Sequence, residues 1–269
     1  MADSAVRTQV ARAINPTLLS LSEFRRRPVP HVLLGDSRMA SLKAEAVSRQ
    51  LGKPVANLAY GGASMQEMID TFWFATRYTV LESVTIGLTL DVYNDYNISR
   101  RTEAMESMMS NPLLYFTNRN VLTATWYTLR ARNTPRMVPA LDQVTTDRES
   151  FWRYTLDQQQ MTFSRWRAPL RYSGELQRIA RWCREHNVNL TFVRFPSHRE
   201  VMAIVAASGL SGASGQMKSD LERLARVVDF EPRTEITDER SNYSDPIHFT
   251  PEVAARLIAE IWPRVGSAP

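Results

Sequence analysis

Short apolar runs alternate with apolar residues spaced three and four apart, and that alternation limits most strongly what this chain can fold into. His31-Val32-Leu33-Leu34 reads as a buried strand broken at Gly35, followed by a helix with Met39, Leu42, Ala46 and Val47 on one side. "KPVANLAYGG" reads as a second strand, and Met65, Met68, Ile69, Phe72 and Thr76 mark the next helix. "SVTIGLTL" is a third strand. Strands that alternate with helices pair in parallel, because a parallel neighbour is reached only through a crossover. The pattern lapses over 92–170, a stretch rich in Arg, Asn, Met and aromatics, and resumes with a helix at 173–187 and the strand "NLTFVRFP". Helices at 197–226, the strand "RVVDFEP" and a polar loop at 231–246 follow. The last helix, 251–263, carries Pro251 in its first turn and Thr250 as its cap. The expectation is an α/β domain over 29–269, a doubly wound, mainly parallel five-stranded sheet with a helical insertion (92–170) after strand three. Residues 1–28, ending in "SEFRRRPVP", read as a lead-in and surface linker.

A chain of 269 residues suits one large domain or two small ones, and 43% hydrophobic with 23% charged residues is ordinary for a folded protein. No apolar run approaches the ~20 residues of a membrane span, and the first twenty residues lack the apolar core of a signal peptide. Cys183, alone of its kind, falls on a stripe with Leu176, Ile179 and Ala180, which suits a packing thiol. The net charge is +5, and 30 of the 33 basic residues are arginine. Base composition of the genome accounts for that bias, and so does recognition of carboxylates or phosphates. No module of a nucleic-acid-binding type appears, so nucleic acid is not an expected partner.

Open parallel sheets bind ligands beyond the C-terminal ends of their strands. Four clusters stand at such ends or beside them: Gly35-Asp36-Ser37-Arg38, Gly61-Gly62-Ala63-Ser64, Asp91-Val92-Tyr93-Asn94-Asp95 and Asp245-Pro246-Ile247-His248. A serine attacks only if a base removes its proton, and the base needs a carboxylate to orient it. Asp245 and His248, three apart on a loop stiffened by Pro246, can supply that pair. The Ser37 N–H, a glycine N–H from 61–62 and the Asn94 amide are candidate donors to an oxyanion. Singly, each has an ordinary alternative: Ser37 a helix cap, the glycines a tight turn, Asn94 a polar turn residue, Asp245 and His248 a loop hydrogen bond. Their occurrence in this order at successive element ends is the informative observation.

His198, in "FPSHRE" beside Glu200, is a second candidate base or a substrate contact. Arg38 is a candidate for a substrate carboxylate or a salt bridge. His31 precedes its strand and belongs at the wrong end of the sheet, and His186 closes a helix. No C-x-x-C, H-E-x-x-H or phosphate-cradling glycine loop is present, so no metal and no nucleotide or other cofactor is expected.

The four clusters carry a resemblance. The chain resembles SGNH (GDSL-type) hydrolases and acyltransferases: "GDS" is similar to their first block, "NLAYGGAS" to the glycine block, "DVYND" to the asparagine block and "DPIH" to the last. Val92 stands where the asparagine block usually has glycine. The resemblance covers about 30–95 and 188–263. It implies a flavodoxin-like three-layer α/β/α sandwich, Ser37, Asp245 and His248 as catalytic triad, and Ser37, Gly62 and Asn94 as oxyanion hole. "LLGDSRM", "NLAYGGAS" and "IGLTLDVYN" further resemble bacterial proteins related to the alginate O-acetylation machinery. That implies serine-dependent acyl transfer, as O-acetyltransferase or acetylesterase, on a bacterial cell-surface polysaccharide. It also implies an acyl donor, a glycan acceptor and a membrane acyltransferase as partners. Trp126, Trp152 and Trp166 of the insertion would then be places for sugar rings to stack. The expected location is extracytoplasmic, in the periplasm, with a membrane tether preceding the given sequence; a cytoplasmic protein is the alternative. Simple esterase action and non-catalytic carbohydrate binding remain as rival functions.

Overall fold

The computed structural model describes residues 2–97, 99–133 and 147–263. In chain order the elements begin with α1 (Ala2–Ile14), α2 (Pro16–Arg26), β1 (His31–Leu34), α3 (Ser37–Ser41) and α4 (Ala44–Leu51). Then come β2 (Val55–Asn57), α5 (Met65–Thr76), β3 (Ser83–Leu88), α6 (Arg101–Ser110), α7 (Pro112–Thr117) and α8 (Arg119–Asn133). The remainder runs α9 (Arg148–Ser164), α10 (Leu170–Glu185), β4 (Asn189–Arg194), α11 (Arg199–Ala207) and α12 (Ser211–Glu222). It closes with β5 (Arg226–Asp229), α13 (Glu235–Asp238), β6 (Tyr243–Asp245), β7 (His248–Phe249) and α14 (Pro251–Ile261). These elements form two compact units, Met1–Pro28 with Arg100–Thr145, and Val29–Ser99 with Thr146–Pro269.

The larger unit holds a parallel sheet in the order β2-β1-β3-β4-β5, the flavodoxin-like order. Registers such as Leu33↔Asn57, Leu33↔Thr85 and Phe192↔Val227 keep each strand's alternation in phase with its neighbours. On one face Leu33 and Val193 bury against Met39, Val47, Phe249 and Leu257, so α4 and α14 cover that side. On the other lie α5 and α10, whose Phe72 and Trp182 rings meet edge to face at 5.4 Å. The Cys183 stripe of α10 is buried, and burial pushes the thiol pKa up to about 12, so it stays an inert packing group. The connection leaves β1 toward β2 on one side and reaches β3 on the other. That reversal opens a crevice at the C-terminal ends of β1 and β3, where Gly35–Arg38 and Asp91–Asp95 lie.

The smaller unit is helical, and here the structure differs from the sequence reading. Residues 2–26 are two helices and not a linker. Asn15 caps α2 through Leu18 N (3.0 Å) with Pro16 in the first turn, and Leu18, Leu21 and Phe24 bury one side of it. Arg25 Nη1 donates to Met109 O (3.0 Å) and Asn15 Nδ2 to Met105 Sδ (3.2 Å), joining α2 to α6. The triple arginine and Pro28 obscure a helix whose apolar spacing is otherwise ordinary.

The 92–170 segment is correspondingly not one insertion. Its central part groups with the N-terminal helices, whereas 92–99 and 146–170 group with the sheet. Residues 98 and 134–146 of it lie outside the described residues. Within the expected loop 231–246 the chain forms α13, a 3-10 turn at Arg240–Asn242 and β6, and β6 pairs antiparallel with β7. The helices expected at 197–226 are two, parted at Gly209, which takes a left-handed φ of 72°.

Candidate active site

Ser37 stands where β1 turns sharply into α3. Gly35 permits the turn, since a Cβ there would come within 2.5 Å of Met39 Cβ. Asp36 caps α3, its Oδ1 accepting from Arg38 N at 2.9 Å. Ser37 remains only partly covered. At the far end of the sequence the short β6–β7 hairpin presents Asp245 and His248. The Asp245 carboxylate accepts from Ile247 N (3.0 Å) and His248 N (3.1 Å) through Oδ1, which freezes the loop around Pro246. Its Oδ2 lies 2.6 Å from His248 Nδ1, and His248 Nε2 lies 2.7 Å from Ser37 Oγ. Across 211 residues of sequence the three side chains form an unbroken relay from carboxylate to imidazole to hydroxyl.

The carboxylate of this relay is 4% exposed. Burial alone would raise the Asp245 pKa, but the hydrogen bond and charge of His248, with the two N–H donors, hold it below the usual range. Asp245 therefore stays ionised and fixes the proton of His248 on Nδ1, leaving Nε2 free to accept from serine.

The other expected donors come from the loops after neighbouring strands. Gly62 takes a φ of 62° in the Tyr60–Ala63 turn after β2, a conformation that favours glycine. That turn is held to the serine turn by Tyr60 N donating to Gly35 O (3.3 Å). Asn94, after β3, is fully buried. Its Oδ1 accepts from Tyr96 N and Arg167 N, each at 3.0 Å, which fixes the amide orientation. The Nδ2 is then a buried donor without a partner among the described residues.

Two of the expected contact residues are placed otherwise. Arg38 is 2% exposed and committed inward. Its Nε donates to Asp36 Oδ2 (2.9 Å) and its Nη2 to both oxygens of Asp91 (2.9 and 2.8 Å). Burial would favour a neutral guanidine, but Asp36 and Asp91 outweigh it and drive the pKa above its ordinary value. Asp91 is held below its ordinary value because Arg38 overcomes the cost of burial. Arg38 is thus unavailable to a substrate carboxylate.

His198 is likewise 2% exposed. It caps α11, its Nδ1 faces Glu200 Oε2 at 3.1 Å, and its backbone N–H donates to Pro246 O at 2.8 Å. Burial lowers its pKa, and it steadies the Asp245–His248 loop from behind.

Two of the insertion's three tryptophans singled out above have structural duties. Trp152, in α9, is buried in the core cluster, donates to Glu200 Oε2 at 2.6 Å and lies under the Arg240 guanidinium at 4.1 Å. Arg148, one turn earlier, donates to Arg240 O and Tyr243 O, both at 2.8 Å, and so braces β6 just ahead of Asp245. Trp166 donates to Tyr93 O at 3.1 Å, pinning the Asn94 loop. Trp126 belongs to the helical unit and is 49% exposed. Sequence reasoning gave no role to Asp91, Arg148 or Arg167. The one available signal was the opposite charge of Arg38 and Asp91 at adjacent strand ends. His31 lies at the N-terminal end of β1, where its Nδ1 meets Ser83 Oγ at 2.8 Å, and His186 ends α10 stacked on Trp182. No cluster able to hold a metal occurs among the described residues.

No family model matches the chain, and no curated protein matches it. Solved structures do. A GDSL-like lipase from Bacteroides thetaiotaomicron aligns at a TM-score of 0.46 and 8% identity, over 93% of this chain and 95% of that one. A Bacteroides fragilis protein described as an acylhydrolase aligns at 0.44 and 10%, over 90% and 92%. A family two carbohydrate esterase from Clostridium thermocellum aligns at 0.34 and 11%, over 87% of this chain and 62% of that one. Similarity at this level is distant, and the functional reading rests on the chain's own residues.

Proposed function

We propose that this chain is a serine-dependent acyl-transfer enzyme of the SGNH kind, moving an acyl group, acetyl above all, between an ester donor and a glycan hydroxyl. The observation that carries the reading is the Ser37–His248–Asp245 relay, with contacts of 2.7 and 2.6 Å. Ser37 Oγ attacks the donor carbonyl while its proton passes to His248 Nε2. The oxyanion that forms is held by the Ser37 N–H, the Gly62 N–H and Asn94 Nδ2. Collapse expels the donor alkoxide, which takes the proton from His248, and leaves an ester on Ser37. A second hydroxyl, from sugar or from water, then gives its proton to His248 as it attacks that ester. Ser37 leaves and recovers the proton, so atoms and charge balance over the cycle.

A sugar acceptor needs a wall beside this centre, because its hydroxyl must be held about 3–3.5 Å from the acyl carbon. Tyr96, two residues after Asn94, is 44% exposed, and the guanidiniums of Arg165 and Arg167 lie 5.7 and 5.8 Å from its ring centroid. An aromatic face with two exposed cations suits a sugar ring that carries acidic groups. Bacterial surface polysaccharide, reached outside the cytoplasm, is the acceptor class that fits this chemistry, with a membrane acyltransferase as the source of the donor.

The test incubates the protein with a small acetyl ester and a panel of neutral and acidic oligosaccharides, following both products by mass spectrometry. Acetylated acidic oligosaccharide supports the reading. Free acetate alone with every acceptor assigns an esterase, and no turnover of any ester contradicts acyl transfer.

A further inference from the structure

The net positive charge of the chain is confined to its helical unit. Residues 1–28 and 100–145 carry 11 arginines against 5 acidic residues, whereas the rest carries 22 basic and 23 acidic. Within this unit no aspartate or glutamate occurs from 107 to 141. Over that same stretch the amphipathicity of α8 is inverted. Its half-covered side, toward α1 and α2, carries Val121, Ala124 and Thr128, which line a cleft there with Asn15 and Leu18, and Leu129 reaches the margin of the same cleft. Its outward side carries Leu122 (55% exposed), Trp126 (49%) and Leu129 (62%) at spacings of four and three, one helical stripe. Arg119 lies one turn before this stripe and Arg130 one turn after Trp126, with its guanidinium 4.4 Å from the Trp126 ring. The preceding short helix α7 also exposes Leu113, Leu114 and Phe116.

We propose that α7 and the outward stripe of α8 dock on an anionic lipid surface. Aromatic and leucine side chains set outward, arginines at the margins and an absence of acidic groups are what an interfacial helix requires. The apolar groups enter the acyl boundary while the long arginine stems leave their charges among the headgroups. Charge complementarity selects lipid over a second copy of the chain, because pairing two such surfaces would oppose like charges with no carboxylate between them. No helix among the described residues is long and apolar enough to cross a membrane, so α8 would lie in the interface plane. The inference is independent of the serine chemistry.

The full chain is tested by flotation with vesicles of phosphatidylcholine alone and of phosphatidylcholine with phosphatidylglycerol. Binding is expected only to the second, weakening as salt is raised. Leu122→Ser/Trp126→Ser/Leu129→Ser should reduce it at least ~10-fold, and Arg119→Gln/Arg130→Gln by about 5-fold per arginine. These side chains are exposed, so melting temperature should change little, and ester hydrolysis serves as a second check on folding. Equal binding to both vesicles, or to neither, overturns the proposal. A dimer in light scattering that the triple-serine variant abolishes, without vesicle binding, overturns it in favour of self-association.

Discussion

Arg38 Nη2 spans the two carboxylate oxygens of Asp91 at 2.9 and 2.8 Å, and Asp36 holds the same guanidinium from the other side. One buried cation thereby fastens the turn that carries Ser37 to the loop that carries Asn94. Ser37 and a candidate oxyanion donor are kept in register by a side chain that is itself buried.

Removing one member of such a cluster leaves an uncompensated buried charge. Arg38→Ala should cost about 3–5 kcal/mol in denaturant melts, the range for breaking a buried ion pair. Arg38→Lys, which keeps the charge but not the fork, should recover stability only in part and leave ester hydrolysis depressed through kcat more than KM. An Arg38→Ala protein of full stability would remove the clamp from the account.

Asp245→Asn keeps the shape of the side chain and removes the charge that holds the Nδ1 proton. Steady-state ester hydrolysis should show kcat lower by on the order of 10⁴-fold, with KM nearly unchanged.

Asn94→Asp separates two duties of one residue. Its remaining oxygen can still accept from Tyr96 N and Arg167 N, so the loop should hold. The donor Nδ2 becomes an oxygen that repels an oxyanion, and kcat should fall by about 10²–10³-fold. A variant that is fully active would assign the oxyanion to backbone donors alone.

His198 supplies a pH dependence of stability. Burial, aided by Arg199 and Arg240 and opposed by Glu200, keeps its folded pKa below that of the unfolded chain. Protons then bind the unfolded chain more tightly. The contribution is full above about pH 6.5 and is lost as pH falls through the folded pKa. His198→Asn, which can still cap α11, should flatten thermal stability between pH 7 and pH 5 relative to the parent.

What the sequence made legible was local or periodic. The βα alternation gave the parallel sheet, and the strand-end clusters marked the residues that the structure brings together at Ser37, Asp245 and His248. Partnerships across the chain were not legible. Arg38 reads equally as a substrate contact or a salt bridge until Asp91, 53 residues on, is seen beside it. Trp152 reads as a possible sugar platform until Glu200 is found 2.6 Å from its indole nitrogen. Leu18, Leu21 and Phe24 have a helical spacing, but what ties α2 down is remote: Ser22 and Arg25 meet Met109 of α6 more than eighty residues away. Periodicity shows that a face is apolar, not what covers it.

The central claim is that Ser37 is a nucleophile activated by His248. Its most direct measurement is labelling with a fluorophosphonate, followed by peptide mass mapping of the modified residue. The expected result is one adduct, on Ser37, abolished by Ser37→Ala and by His248→Ala in proteins that retain the parent melting curve. An adduct that persists in Ser37→Ala, or that maps to any other residue, would contradict it.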